Sequence, residues 1–227
     1  MVNTFFTKFA HHGPMRRALA MILVLCPLAA GPAQAGAWLR AEGEGFTSWS
    51  VKVQDDAATR GYSTAYLEYG LNPDLTGGLD IGGNELGEHK ALAFVLMPIR
   101  RDDLHVSFQL GAGVISGEAA MRPGVSIGKG LKLGALDGWG NIDIRSDVTG
   151  SGTYLSIDTT LGVNVSKRAK LIGQLQQGGP LTSPDYMRAF ASVVWQFAPG
   201  RHIELGATTS VINSESFGLQ IGFWNSF

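Results

Sequence analysis

The sequence contains one short pair of residues that is able to do nucleophilic chemistry. His105 and Ser107 are separated by a single residue. A histidine so placed can take the serine proton and prepare the hydroxyl to attack an ester, provided that a third residue orients the ring. Glu118 is a candidate for that third residue, but it falls in a predicted loop. The spacing of His105 and Ser107 is repeated by His202 and Glu204, which lack a nucleophile.

A larger group of polar residues is placed singly inside apolar segments. Consecutive side chains of a β-strand point to opposite faces. A polar residue among alternating apolar ones therefore marks the face that does not contact an apolar environment. Twelve residues occupy that polar phase and are predicted to line an interior: Lys52, Glu68, Asp80, His105, Gln109, Asp143, Arg145, Asp158, Lys170, Arg188, His202 and Glu204.

The elements that position these residues are predicted by alternation with a period of two. The run from Leu155 to Val165 shows it best, with aliphatic residues on one face and Ser, Asp, Thr and Asn on the other. Twelve such segments follow one another along the chain. They lie at residues 45–53, 61–71, 75–82, 90–98, 104–113, 123–130, 138–146, 153–165, 169–177, 186–197, 202–211 and 216–227.

The connections between these segments suggest an up-and-down arrangement. Tight connections such as Asn72-Pro73-Asp74 alternate with longer ones, which are predicted at 114–122 and 178–185. Twelve is an even number, as bacterial single-chain barrels require. The segments 123–130 and 138–146 alternate poorly and contain several glycines, so ten strands is the alternative.

The composition favours a membrane barrel over a soluble one. Charged residues make up 16% of the chain, whereas soluble domains contain about a quarter. Several segments have the length of about nine to eleven residues that a tilted strand needs to cross a bilayer. The predicted fold is therefore all-β, a closed antiparallel transmembrane β-barrel of about twelve strands.

The first 35 residues have the pattern of an export signal. Arg16 and Arg17 precede an apolar run that ends before the small-residue site Ala33-Gln34-Ala35. We predict cleavage after Ala35, a short periplasmic segment at 36–44 and a barrel at 45–227. Removal of 1–35 takes away three basic residues and no acidic one, which changes the net charge from −1 to −4. The only cysteine, Cys26, lies in the signal, so the mature chain lacks thiolate metal sites and disulfides.

The end of the chain carries a family resemblance. The segment from Gly218 to Phe227 resembles the carboxy-terminal assembly signal of Gram-negative outer-membrane barrels, with alternating apolar residues that lead to a final aromatic. The residues that match are Leu219, Ile221, Phe223 and Phe227, whereas Asn225 departs from the pattern. The resemblance implies an outer-membrane location, contact with outer-membrane lipid and lipopolysaccharide, and recognition of the last strand by the barrel-assembly machinery.

Aromatic residues near the predicted periplasmic side are expected to form one interfacial belt. They are Tyr69, Trp139, Trp195, Phe197, Phe223 and Phe227.

The pair His105-Val106-Ser107 resembles the His-x-Ser pair of outer-membrane phospholipase A and lipid A deacylases. In those enzymes the pair faces the bilayer and an Asn follows the serine. Here His105 and Ser107 share the polar phase, and Phe108 occupies the position of the Asn. We therefore predict no catalytic residue and interpret His105 as a hydrogen-bonded interior side chain.

These observations favour a narrow pore or passive transporter for small polar solutes. A barrel-borne lipid hydrolase and a structural barrel without conductance are the alternatives, and the interior charges could equally pair with one another and fill the interior. No cofactor, metal or nucleic acid partner is predicted. The near balance of basic and acidic interior residues predicts at most a weak cation preference.

Overall fold

The computed structural model describes residues 36–55, 61–181, 184–212 and 216–227, so the predicted signal at 1–35 lies outside the described residues. Twelve antiparallel strands form one sheet, which closes into a barrel because the last strand pairs with the first. The strands are β1 (Gly45–Gln54), β2 (Gly61–Asn72), β3 (Leu75–Asn84), β4 (His89–Arg101), β5 (His105–Ile115), β6 (Glu118–Leu133), β7 (Leu136–Thr149), β8 (Gly152–Asn164), β9 (Ala169–Pro180), β10 (Tyr186–Ala198), β11 (Arg201–Ile212) and β12 (Phe217–Ser226). In these ranges no helix is long and apolar enough to cross a membrane.

The outer surface of the barrel is covered with large apolar side chains. Trp49 is 63% exposed, Leu205 60% and Leu161 58%, and similar residues occur on the outer face of the other strands. Lipid is the solvent that accepts such a surface, and closure of the sheet leaves no unpaired edge in the hydrocarbon layer. The prediction of a closed, twelve-stranded antiparallel barrel is confirmed, and the ten-strand alternative is wrong.

The two weakest predicted segments are the cores of the two longest strands, β6 and β7. The predicted long loop at 114–122 is wrong, because β5 and β6 continue through it and meet in a two-residue turn. Ser116 has φ 47° and Gly117 has φ 84°. Positive φ at both central positions is the geometry of a type I′ hairpin turn, which matches the twist of the flanking strands. The predicted loop at 178–185 is also shorter than expected, since β9 extends to Pro180.

The barrel has two different rims. At one, here called the terminal end, β1 begins and β12 ends, and Gly45 N–H donates to the Phe227 carbonyl at 2.6 Å. The turns at 73–74, 102–104, 134–135, 165–168 and 199–200 lie at this end. The other rim, the loop end, carries the remaining six connections. In bacterial barrels the rim with short turns faces the periplasm.

Aromatic side chains form part of a belt near the terminal end. Tyr69, Trp195, Phe197, Phe223 and Phe227 are exposed on the outer face, and the rings of Phe197 and Phe223 lie 5.8 Å apart. The assignment of Trp139 to this belt is wrong, because its side chain faces inward and is buried. Gly162 on the next strand makes the space, since a Cβ there would lie 2.2 Å from the Trp139 ring.

Candidate functional site

The side chains predicted to line the interior lie on the inward face of their strands, opposite the exposed apolar residues. They are Lys52, Glu68, Asp80, His105, Gln109, Asp143, Arg145, Asp158, Lys170, Arg188, His202 and Glu204. Inward alternation brings residues that are distant in sequence into one enclosed space, the lumen. The candidate site is this lumen.

Two cavities divide the lumen along its axis. The cavity in the loop half has a volume of about 560 Å³, and the one in the terminal half about 280 Å³. They meet at a waist, where both are lined by Ser50, Arg145, Asp158, Gln176 and Gln220. At the waist Arg145 donates to Asp158 in an ion pair. This pair stands between the two halves of the lumen.

One wall of the loop half is held by a connected set of ion pairs. Asp80 accepts a hydrogen bond from Lys90 at 2.8 Å and another from the Arg122 guanidinium. Arg122 also donates two hydrogen bonds to Asp147. Charges in a partly buried site are stabilised only when such partners are present. We call Asp80, Lys90, Arg122 and Asp147 the wall network.

Sequence reasoning missed three of these four residues for a definable reason. Lys90 begins a segment that is apolar on both faces, so alternation could not show which face its side chain occupies. Arg122 fell in the wrongly predicted loop, and Asp147 lies one residue beyond the predicted segment 138–146. Correct strand limits would have placed all three on the inward phase.

Two basic side chains in the loop half have no acidic partner. Among the described residues, neither Lys52 nor Arg188 makes an ion pair. The Lys52 ammonium lies 5.9 Å from the Phe190 ring centroid, and the Arg188 guanidinium lies 4.8 Å from that of Tyr186. Arg188 Nε is buried without a hydrogen-bond partner. Both residues line the larger cavity, which therefore has an excess of positive charge on this side.

The terminal half is narrower, more apolar and acidic. Trp139, Ile172 and Val194 form a buried cluster, and the first two line the smaller cavity. Glu204 accepts hydrogen bonds from Ser192 at 2.7 Å and from Gln220 at 3.2 Å. The smaller cavity is thus bounded by apolar surface with a few fixed acceptors.

The side of the lumen formed by β2, β3 and β4 is filled by side chains. Glu68 is fully buried and accepts hydrogen bonds from Tyr66 at 2.7 Å and from Arg40 at 2.6 Å. Phe94 stacks on Tyr66 with ring centroids 5.4 Å apart and occupies the space beside Gly78. This packing accounts for the predicted segment 90–98 with two apolar faces, because one face meets lipid and the other packs inside the lumen.

The possible nucleophile pair is not assembled for hydrolysis. The Ser107 hydroxyl donates to the carbonyl oxygen of Gly36 at 2.9 Å, and the His105 ring lies 5.3 Å from that of Trp38. Glu118 is at the loop end, eight residues along β5 from Ser107 in the register of the sheet, which is about 27 Å. Glu118 instead accepts hydrogen bonds from Ser151.

A metal site is likewise not formed by the described part of the chain, in which no three His, Cys, Asp or Glu residues come together. His202 faces Trp224, with ring centroids 6.3 Å apart.

The residues that resemble an assembly signal lie on the outer face of the seam between β12 and β1. Leu219, Ile221 and Phe223 are exposed and pair with Val53, Val51 and Trp49 respectively. Phe227 follows β12 and exchanges backbone hydrogen bonds with Gly45. The seam is therefore paired along its whole length.

Comparisons with known proteins give the fold and no closer relationship. No protein-family model matches the sequence, and no curated protein matches it significantly. The structure of KdgM porin is similar, with a TM-score of 0.65 and 7% identity over 80% of this chain and 99% of that one. NanC porin gives a TM-score of 0.60 and 8% identity over 78% and 98% of the two chains. Omp33 of Acinetobacter baumannii gives 0.57 and 8% over 82% and 99%.

A weaker similarity links the chain to LpxR from Salmonella typhimurium, with a TM-score of 0.50 and 8% identity over 79% of this chain and 99% of that one. The porins therefore match the barrel better than LpxR does. The chain has the fold of a porin-like, twelve-stranded outer-membrane β-barrel.

Proposed function

We propose that this protein is a narrow outer-membrane pore for small polar solutes, and that the loop half of its lumen favours anions. The observation that carries the proposal is the pair of adjoining lumen cavities, about 560 and 280 Å³, inside a wall whose outer face is apolar. Polar groups that line a path of low dielectric constant select solutes by charge and by hydrogen bonding.

The preference for anions is inferred from Lys52 and Arg188. Asp80 and Asp147 bind Arg122, and Asp158 binds Arg145. Glu88 also lines the cavity, accepts a hydrogen bond from Asn84 and makes no ion pair with the described residues. The two unpaired cations, Lys52 and Arg188, therefore outnumber the one unpaired carboxylate beside the cavity, which Gln54 and Gln176 also line. This inference replaces the weak cation preference expected from the sequence, which did not count Lys90 or Arg122.

The similar structures are consistent with such a solute class. One of them is the structure of KdgM porin in complex with disordered oligogalacturonate, an acidic saccharide. At 6% identity the likeness concerns the fold, so the solute of this chain is inferred from its own lumen. We propose no hydrolase activity, because Ser107 binds Gly36 and not His105.

Planar bilayers that contain the purified protein provide the test. We expect stepwise currents. In a salt gradient we expect a reversal potential with the sign that an anion-selective pore produces. Lys52→Gln and Arg188→Gln should each move that potential toward zero by roughly a quarter to a half, since each removes one of two unpaired charges. Lys132→Gln is the matched control, because Lys132 pairs with Asp137, lines neither lumen cavity and is 71% exposed.

Bilayers without current steps would contradict the pore and favour a structural barrel. Ester cleavage of phospholipid or lipid A that is lost in Ser107→Ala would instead establish the hydrolase. Current steps with unchanged selectivity in both lumen variants would leave the pore standing and overturn its anion preference.

A further inference from the structure

The first described residues of the chain enter the lumen. Residues 36–41, here called the N-terminal segment, run inside the barrel at the terminal end. Glu42 forms a parallel bridge with Gly70 of β2, and the Arg40 N–H donates to Thr76 Oγ1 at 2.9 Å. The Arg40 side chain binds Glu68 at 2.6 Å. The segment is thus fixed to the wall by both backbone and side-chain contacts.

The wall has glycine where the N-terminal segment passes closest. A Cβ on Gly70 would lie 2.0 Å from the Ala41 carbonyl oxygen, and a Cβ on Gly128 would lie 2.5 Å from the Trp38 ring. Both glycines face inward, where a larger side chain would collide with the segment. Close backbone approach is a common reason for glycine inside a strand.

Apolar contacts hold the middle of the N-terminal segment. Ala37 is only 2% exposed, and Trp38 packs against the cluster formed by Trp139, Ile172 and Val194. An aromatic side chain buries a large apolar area, which makes Trp38 the main anchor. The segment occupies the part of the lumen next to the smaller cavity, where Arg40 is one of the lining residues.

The deep end of the segment meets a carboxylate. Asp143 Oδ1 would lie 2.2 Å from a Cβ built on Gly36, so the carboxylate lies against the Gly36 backbone. Asp143 accepts hydrogen bonds from Ser126 and Asn141, and within the described ranges it has no ion-pair partner. Ser107 holds the Gly36 carbonyl from the other side. One negative charge thus remains at the position where the segment begins.

We propose that the terminal half of the lumen is a binding site for a primary ammonium group, and that its ligand is the α-amino group of Gly36. The proposal uses the predicted cleavage after Ala35. Hydrolysis of that peptide bond by water leaves a carboxylate on Ala35 and an ammonium on Gly36. The new cation lies beside Asp143 in a space of low dielectric constant, where opposite charges attract more strongly than in water. Export processing thereby seats the segment as a tethered plug.

Accessibility of the amine tests the site without any transport measurement. Folded protein in detergent is treated with a water-soluble amine-acylating reagent, and the N-terminal peptide is analysed by mass spectrometry. We expect the N terminus to be Gly36 and its acylation to be at least about tenfold faster in Asp143→Asn than in the parent protein, because the seated state then loses its charge partner. Asp137→Asn is the charge-matched control, since Asp137 lies on the same strand as Asp143 and pairs with the exposed Lys132; its acylation rate should equal that of the parent.

Equal acylation rates in the parent and in Asp143→Asn would overturn the proposal, as would a mature N terminus at another residue. The gel shift between folded and boiled samples establishes that each variant is a closed barrel.

Conductance tests the consequence of the plug, which goes beyond the proposed pore. Gly128→Leu fills the seat of Trp38 and should raise the single-channel conductance by roughly two-fold or more, as should deletion of 36–41. Gly140→Leu is the matched control, because a Cβ there makes only ordinary contacts at 3.4 Å with Leu131 and Leu161. A conductance unchanged by both changes would overturn the plug. If no variant conducts, the pore proposal fails, and the acylation rates still decide the ammonium site.

Discussion

The two halves of the lumen are enclosed by the same twelve strands and differ in almost everything else. The loop half is wide, and its wall is lined by the wall network and by the tyrosines Tyr62, Tyr154 and Tyr186. The terminal half is about half as large, is bounded by Trp139 and Ile172, and contains the N-terminal segment. The difference shows that strand pairing sets only the width of the container. The inward side chains decide which part stays open as a cavity and which part is filled by protein.

The largest expected effect concerns the closed rim on which the terminal half depends. Deletion of Phe227 removes the two backbone hydrogen bonds with Gly45 and the ring that lies over Gly45. An unpaired strand end exposes backbone groups that the bilayer cannot satisfy. We expect the yield of folded protein in outer membranes to fall severalfold, as measured by the gel shift of unboiled samples.

Trp38→Ala is the control for this deletion, because Trp38 belongs to the N-terminal segment and not to the barrel wall. It should assemble with a nearly normal yield. If the Trp38 variant assembled as poorly as the Phe227 deletion, the plug would be part of the barrel's assembly and the two halves would not be independent.

A second, intermediate effect separates the two faces of the wall in the terminal half. Leu161 faces lipid and neighbouring Thr160 faces the smaller cavity. Leu161→Arg should destabilise the folded barrel by up to roughly 2–4 kcal/mol, depending on its depth in the bilayer, whereas Thr160→Arg places its charge near the lumen acids and should cost much less. Urea titration of the refolded protein in lipid vesicles measures both. Equal costs would mean that the inward and outward faces are assigned wrongly.

The smallest effect concerns the wall network of the loop half. Asp80→Asn removes the acceptor shared by Lys90 and Arg122 and should lower the free energy of unfolding by about 1–3 kcal/mol, because a buried charged donor is left without its partner. The control is Asp102→Asn, which breaks the exposed pair with Arg100 at the terminal end. It should change the free energy of unfolding too little to be measured. The same urea titration applies. If Asp80→Asn left the free energy of unfolding unchanged, water would have replaced the lost partner, and the loop half would be fully hydrated.

The strands could be predicted from the sequence because alternation is a local property. Every predicted segment corresponds to a strand, and the ends of most agree within about three residues. The exception is 123–130, which begins five residues after β6 does because residues 114–122 were predicted to form a loop. Within β6, Gly124 and Gly128 lie on the inward phase and have no side chain to mark that face, which weakened the alternation.

The side chains and the chain segment that fill the lumen could not be predicted from a local sequence pattern. Nothing local in the sequence distinguishes Gly128, which accommodates Trp38, from the lipid-facing Gly140. The position of residues 36–41 depends on contacts with β2, β3, β5, β6 and β7, and the contact between Gly36 and Asp143 spans 107 residues. Pairing of Asp80 with Arg122 spans 42 residues and four strands. Such relations follow from closure of the barrel and not from any repeat along the chain.

The two-residue turn between β5 and β6 has a practical consequence for topology mapping in intact cells. Ser116 and Gly117 both hold positive φ angles, which an L-residue such as Ser116 adopts only at a cost. A short epitope inserted between them would remove the tight turn, and the closure entropy of a longer loop grows only slowly with its length. Antibody staining of unpermeabilised bacteria would then report directly which rim of the barrel the cell displays to its surroundings.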